Sequence, residues 1–139
     1  MSIYHFYIAF EGIRDTTATN KSLSAIVDVK SFKNVGRQFR HRFPSFVDMR
    51  DAVSHSAEKT KTPAKHKDHS LSGTFQSGVF DIRDSTGVTI DDCLSNSTYQ
   101  TSWNGKLLSY DISPETLIAL DSYRKLVWDI FDPPIAAEP

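Results

Sequence analysis

The spacing of the apolar residues changes twice along this chain, and that change restricts the fold more than any other feature. Up to about residue 58, and again beyond residue 113, apolar side chains recur every three or four positions, as on one face of a helix. Between Leu71 and Ile112 they fall into short β-prone runs cut by Gly, Asn and Ser. A chain of 139 residues patterned this way reads as a single α+β domain, 1–139. It comprises a helical bundle, a small antiparallel β-meander with a hairpin, and a long C-terminal helix. The expected segments are a helical half (1–58), a basic loop (59–70), a small sheet (71–112), the closing helix (113–132) and a tail (133–139).

Ile3, Phe6, Tyr7, Phe10 and Ile13 make the first helix stripe. Residues 14–21 are polar and rich in side chains that compete for backbone hydrogen bonds, so they read as a loop delivering Ser22 as a cap. A second helix is expected from Leu23 to Arg42, with Val29, Phe32, Val35, Gly36, Phe39 and Phe43 on its inner face. Pro44 disfavours helical geometry at Phe43, and a third helix, 44–58, restarts behind it. Lys59 to Ser70 contains no large apolar residue and reads as an exposed, mobile basic loop.

Strands are expected at 74–76, 79–82, 88–90 and 98–103. Asn104-Gly105 predicts a tight turn from Trp103 into 106–112, because a type I′ turn needs positive φ at both central residues. Ser113-Pro114-Glu115 combines a cap, a first-turn proline and an acid at the positive end of a helix that stops before Pro133-Pro134.

Lys and Arg number 16 against 17 Asp and Glu, a formal net charge of −1 that by itself argues for no anionic partner. The sum hides two unlike halves. Residues 1–70 carry 12 bases and 7 acids, whereas 71–139 carry 4 and 10. Ten of the bases lie between Lys30 and Lys67 against three acids. Within that block Lys33, Arg37 and Arg40 recur at helix spacing, with Arg42 nearby, and form a candidate phosphate-binding stripe. The competing reading is the solvent face of an amphipathic helix, or a surface that docks the acidic half of a second subunit.

The single cysteine, Cys93, excludes an intramolecular disulfide and a Cys-based zinc site from this chain alone, which fits a reducing cytoplasm. The opening residues have no basic lead and an apolar run broken at His5, so neither a signal peptide nor a membrane span is expected. Asn96-Ser97-Thr98 matches a glycosylation acceptor that is idle without secretion. No Gly-rich phosphate loop, nucleophile elbow or zincin pattern is present, and no cofactor or metal is expected. His66, Asp68 and His69 contain ligand types, but the flanking lysines oppose a cation. His5 and His41 are isolated.

Asp51 and His55, four residues apart, share a helix face, so the carboxylate is placed to fix the imidazole tautomer for proton transfer. Arg50 is about 140° around an ideal helix from His55, and reaches the same site only through a distorted helix end or a second subunit.

The string Arg50-Asp51-Ala52-Val53-Ser54-His55 resembles the signature of the HEPN family (higher eukaryotes and prokaryotes nucleotide-binding domains): Arg, a polar residue, then His four to six positions on. The layout of a bundle, a hairpin at Trp103-Asn104-Gly105 and a closing helix is also similar to uncharacterised bacterial proteins that carry the motif. The resemblance implies a homodimer and metal-independent RNA cleavage. On that reading Arg50 meets phosphate and transition-state charge, His55 moves a proton to or from the ribose hydroxyl or leaving oxygen, and Asp51 orients. Asp51 departs from the asparagine or histidine usual there. The expectation is therefore an HEPN-like protein that interacts with RNA or a nucleotide, a ribonuclease if active. The alternative is a non-catalytic, self-associating or partner-binding accessory module in which the same residues only cap a helix.

Overall fold

The computed structural model describes residues 2–59, 61–77 and 80–132. Thr60 of the expected loop, Gly78 and Val79 at an expected strand, and the expected tail 133–139 lie outside them. The chain is mixed helix and sheet, and it divides into two compact units, one formed by 1–46 with 115–139 and the other by 47–114.

The helical unit holds α1 (Ile3–Thr19), α2 (Lys21–Ile26), α3 (Val29–Arg42) and almost all of α6 (Pro114–Phe131). Helix α1 runs further than its composition suggests. The threonines expected to break it bond back to their own helix instead, Thr17 Oγ1 donating to the Ile13 carbonyl and Thr19 Oγ1 to that of Asp15, both at 2.8 Å. Residues 14–19 are therefore helical rather than loop. The expected second helix, 23–42, is two helices. Asn20, not Ser22, caps α2 by accepting the Ser22 and Leu23 N–H groups, and Asp28 interrupts the run to cap α3 through Lys30 N–H.

Phe10, Val27, Phe32 and Val35 form this unit's core, with Tyr7, Tyr123, Val127 and Ile130 packed against it. Phe39 is also buried and meets Phe6, Phe43, Phe46 and Tyr123 at ring separations of 5.0–5.7 Å. Aromatic rings of α1, α3 and α6 thus meet one another in this core.

The mixed unit holds α4 (Phe46–Ser54) from Val47 onward, a 3-10 turn (Ser56–Glu58), α5 (Pro63–His69) and two antiparallel sheets. Strand β1 (Leu71–Gln76) pairs with β2 (Asp81–Val88) through two register shifts, so the residues expected to separate strands at 85–87 lie inside β2. Strands β3 (Cys93–Ser95), β4 (Thr98–Trp103) and β5 (Lys106–Asp111) form the second sheet in that order. Only Val88 of the expected 88–90 strand is in a strand. Ile90 instead docks on β4 through both backbone groups, its N–H donating to Ser102 Oγ at 3.0 Å and its carbonyl accepting Ser102 N–H at 2.8 Å. Asn104 and Gly105 have φ of 49° and 71°, as the turn between β4 and β5 requires. Met49 and Ala52 of α4 pack on Leu108, flanked by Tyr99, Trp103 and Tyr110.

The segment 59–70 departs most from its sequence reading. Lys59 has no exposed surface, and Pro63–His69 is helical. Thr62 caps that helix by accepting Lys65 N–H at 3.2 Å, Pro63 occupies its first turn, and His66, Lys67 and His69 sit at its negative end. Local capping chemistry thus orders a stretch that has no apolar stripe of its own.

Candidate functional site

Helix α3 alternates its two faces cleanly. Phe32, Val35, Gly36 and Phe39 go inward, and Lys30, Lys33, Arg37 and Arg40 line a groove of about 460 Å³ with Glu11 and Arg14 of α1. Gly36 sits on the floor of this groove. A Cβ there would come within 3.2 Å of the Phe10 ring and 3.7 Å of an Arg40 guanidinium nitrogen, so the missing side chain lets the Phe10 ring of α1 pack directly on the α3 backbone.

The cations of the groove differ in how far they are neutralised. Arg14 is paired with both Glu11 and Asp15. Arg40 donates one hydrogen bond to the Tyr7 hydroxyl and stands 6.0 Å from that ring's centroid. Arg37 donates to the neutral Asn34 side chain at 2.9 Å. Lys30 and Lys33 make no ion pair among the described residues. The groove therefore holds four cations with no carboxylate partner among the described residues, and Glu11, which shares its lining, is paired with Arg14. Burial pushes the Tyr7 hydroxyl above its ordinary range, assisted by Glu11 and opposed by Arg40, so Tyr7 stays a neutral acceptor beside Arg40.

Three of the four residues expected to bind nucleic acid, Lys33, Arg37 and Arg40, share this groove. Arg42 does not line it; at the C-terminal end of α3 its guanidinium stands 6.0 Å from the Phe43 ring. The basic block from Lys30 to Lys67 is divided, the part up to Arg42 lying in the helical unit and the part from Arg50 in the mixed unit. Arg14 and Glu11 are additions that no α3 periodicity reveals.

Arg50, Asp51 and His55 lie on α4 and at its end, in the mixed unit rather than among the helices α1, α2 and α3. The Asp51 carboxylate accepts from Arg50 Nη1, not from His55. His55 follows the last residue of α4, where its N–H still donates to the Asp51 carbonyl at 2.9 Å. Its Nδ1 lies 3.5 Å from Glu58 Oε1. Glu58 also accepts from Lys65 Nζ at 3.1 Å, and Lys65 first and His55 second hold its carboxyl below the usual carboxylate range. The side chains expected to form an Asp51–His55 pair are thus each taken by a nearer or better-aimed partner. All three remain partly open to solvent.

The mixed unit also contains polar groups that the sequence does not single out. The buried Lys59 ammonium donates to Thr101 Oγ1 and lies 3.9 Å from carboxylate oxygens of both Asp91 and Asp92. Asp92 in turn accepts from the Tyr99 hydroxyl. Burial and then Asp92 raise the Tyr99 pKa, so Tyr99 remains a donor at neutral pH. The His69 ring stacks on Trp103 at 4.1 Å and its Nδ1 accepts Asn104 N–H, while His66 faces Thr89 Oγ1 and Ser70 Oγ. These imidazoles are used in packing and capping, and among the described residues no group of three or more ligand-type side chains is placed to hold a metal. The run Gln100-Thr101-Ser102, all buried, was the one local sign of a polar interior, three uncharged polar residues inside a strand pattern.

Compared with known protein families, curated proteins and solved structures, the chain finds no match.

Proposed function

We propose that this chain binds the phosphates of RNA or of a nucleotide in the groove between α1 and α3. The observation that carries this reading is the set Lys30, Lys33, Arg37 and Arg40 lining one cavity, none paired with a carboxylate among the described residues. Guanidinium and ammonium groups spaced along one helix suit the repeating charge of a nucleic-acid backbone.

The test is binding of a fluorescent single-stranded RNA by anisotropy. At 0.1 M salt the Lys33→Ala/Arg37→Ala double substitution lowers affinity about twenty-fold, the loss expected from two phosphate contacts on a single strand. Unchanged affinity with intact helicity overturns the reading.

The HEPN-like form of the proposal adds metal-independent cleavage by a dimer, with Arg50 on the phosphate, His55 moving the proton and Asp51 orienting. The accessory reading has its own support, since the Arg50–Asp51 and His55–Glu58 contacts tie down the end of α4. Cleavage of a labelled RNA with excess EDTA separates the two. Loss of cleavage in Arg50→Ala and His55→Ala with binding retained favours the nuclease, whereas no cleavage by the unaltered chain favours the accessory module.

A further inference from the structure

Helix α6 turns one apolar face away from the core of its own unit. Tyr123, Val127 and Ile130 pack inward and Phe131, 42% exposed, still sets its ring edge-on to Phe32 at 5.8 Å, whereas Leu117 and Trp128 are 69% and 65% exposed. At 100° per residue Leu117, Asp121, Arg124, Trp128 and Phe131 fall on one stripe. Beside the C-terminal half of that stripe runs an apolar groove of about 390 Å³, lined by Phe6, Phe10 and Ile13 of α1 with Val127, Trp128 and Phe131. Exposed apolar side chains gathered beside a groove mark a candidate interaction site.

The order of residues along the stripe selects the occupant. Helix α6 spans Pro114–Phe131, so its midpoint lies between Ser122 and Tyr123. A two-fold axis crossing there sets each residue opposite one at the same distance beyond the midpoint on a second, antiparallel copy. Leu117 then meets Trp128 of the second copy, and Asp121 meets its Arg124, at both ends of the contact alike. The apolar residues lie at the ends and the opposite charges in the centre, so the face is complementary to itself in both polarity and charge. Asp121 already accepts from Arg124 at 2.8 Å and Lys125 at 3.1 Å, and pairing two copies joins these into one network.

We propose that α6 is the contact face of an isologous dimer, in which Leu117 of each copy packs against Trp128 and enters the apolar groove of the other. The contact is independent of the α1–α3 groove and of anything bound there.

Two experiments test it. In sedimentation velocity at micromolar concentration the unaltered chain runs as a dimer, and Leu117→Asp/Trp128→Asp, at exposed positions, runs as a monomer with an unchanged circular dichroism spectrum. A monomeric unaltered chain, or a dimer that survives the double substitution, overturns the proposal. The second experiment preserves half of the interface. On a Cys93→Ala background, chains carrying Leu117→Cys and chains carrying Trp128→Cys are oxidised separately and as a mixture. With residue 117 of one copy opposite residue 128 of the other, two thiols at the same position stand about 16 Å apart at opposite ends of the contact, beyond the reach of a disulfide. Only the mixture yields a covalent dimer. Its absence, or equal cross-linking by either chain alone, overturns the assignment of these opposed positions.

Discussion

Lys59 shows how a single residue can be placed by contacts that no local pattern encodes. Its neighbours in sequence are polar and charged, yet its ammonium is buried against Thr101, forty-two positions on, with Asp91 and Asp92 behind it. The two carboxylates are about half exposed and stay hydrated without their cation. Thr101 Oγ1 still has the Ile90 carbonyl to bond if the lysine is lost. Among the described residues, by contrast, the ammonium makes its one hydrogen bond to Thr101. The two halves of this contact should therefore differ in cost. Thr101→Val, which removes the hydrogen bond of a buried ion, is expected to destabilise the chain by about 1.5–3 kcal/mol, the range for a hydrogen bond to a charged group. Lys59→Met, which replaces the ion by an apolar chain of similar length, should cost less. Chemical denaturation of both variants checks the order, and the reverse order contradicts this account of Lys59.

At the scale of elements, the turn between β4 and β5 is legible because its chemistry is local. Gly105 has φ of 71°, and a Cβ added there would meet nothing closer than the Ser70 carbonyl at 3.8 Å. Gly105→Ala should therefore cost about 1–2 kcal/mol through backbone strain alone. Gly105→Asn, a residue that tolerates the left-handed region, should recover much of that loss in thermal unfolding. The start of α6 at Pro114 and the two faces of α3 are equally readable, since proline and period act within a few residues, although the Ser113 hydroxyl expected as the cap donates to the Asp111 carboxylate at 2.6 Å. Helices α1 and α5 were not. Thr17 and Thr19 could have opened a loop as readily as they bond back to Ile13 and Asp15, and α5 has caps but no stripe. The candidate site divides the same way. Lys33, Arg37 and Arg40 follow from helix spacing, whereas Arg14 and Glu11 arrive from another helix. The Asp51–His55 pair has the right spacing but yields to Arg50 and Glu58, since geometry at the end of α4 decides between partners that spacing ranks equally.

For the whole molecule, the near-zero net charge and the localised groove make opposite predictions about how a polyanion binds. A chain of net charge −1 has no long-range pull on a polyanion, so attraction must come from cations that touch phosphates. If the ten bases from Lys30 to Lys67 acted as one surface, the logarithm of affinity for single-stranded RNA would fall with the logarithm of salt at a slope of about −7. Among the described residues, the helical unit supplies Lys30, Lys33, Arg37 and Arg40 to the groove without a carboxylate partner. Four such contacts give a slope of about −2.8, or roughly fifty-fold weaker binding between 50 and 200 mM salt. Lys33→Ala/Arg37→Ala should halve the slope to about −1.4, while Arg42→Ala, outside the groove, should leave it unchanged. A slope near −7, or one that responds to Arg42 as strongly as to Lys33, places the anion on a broader surface than this groove.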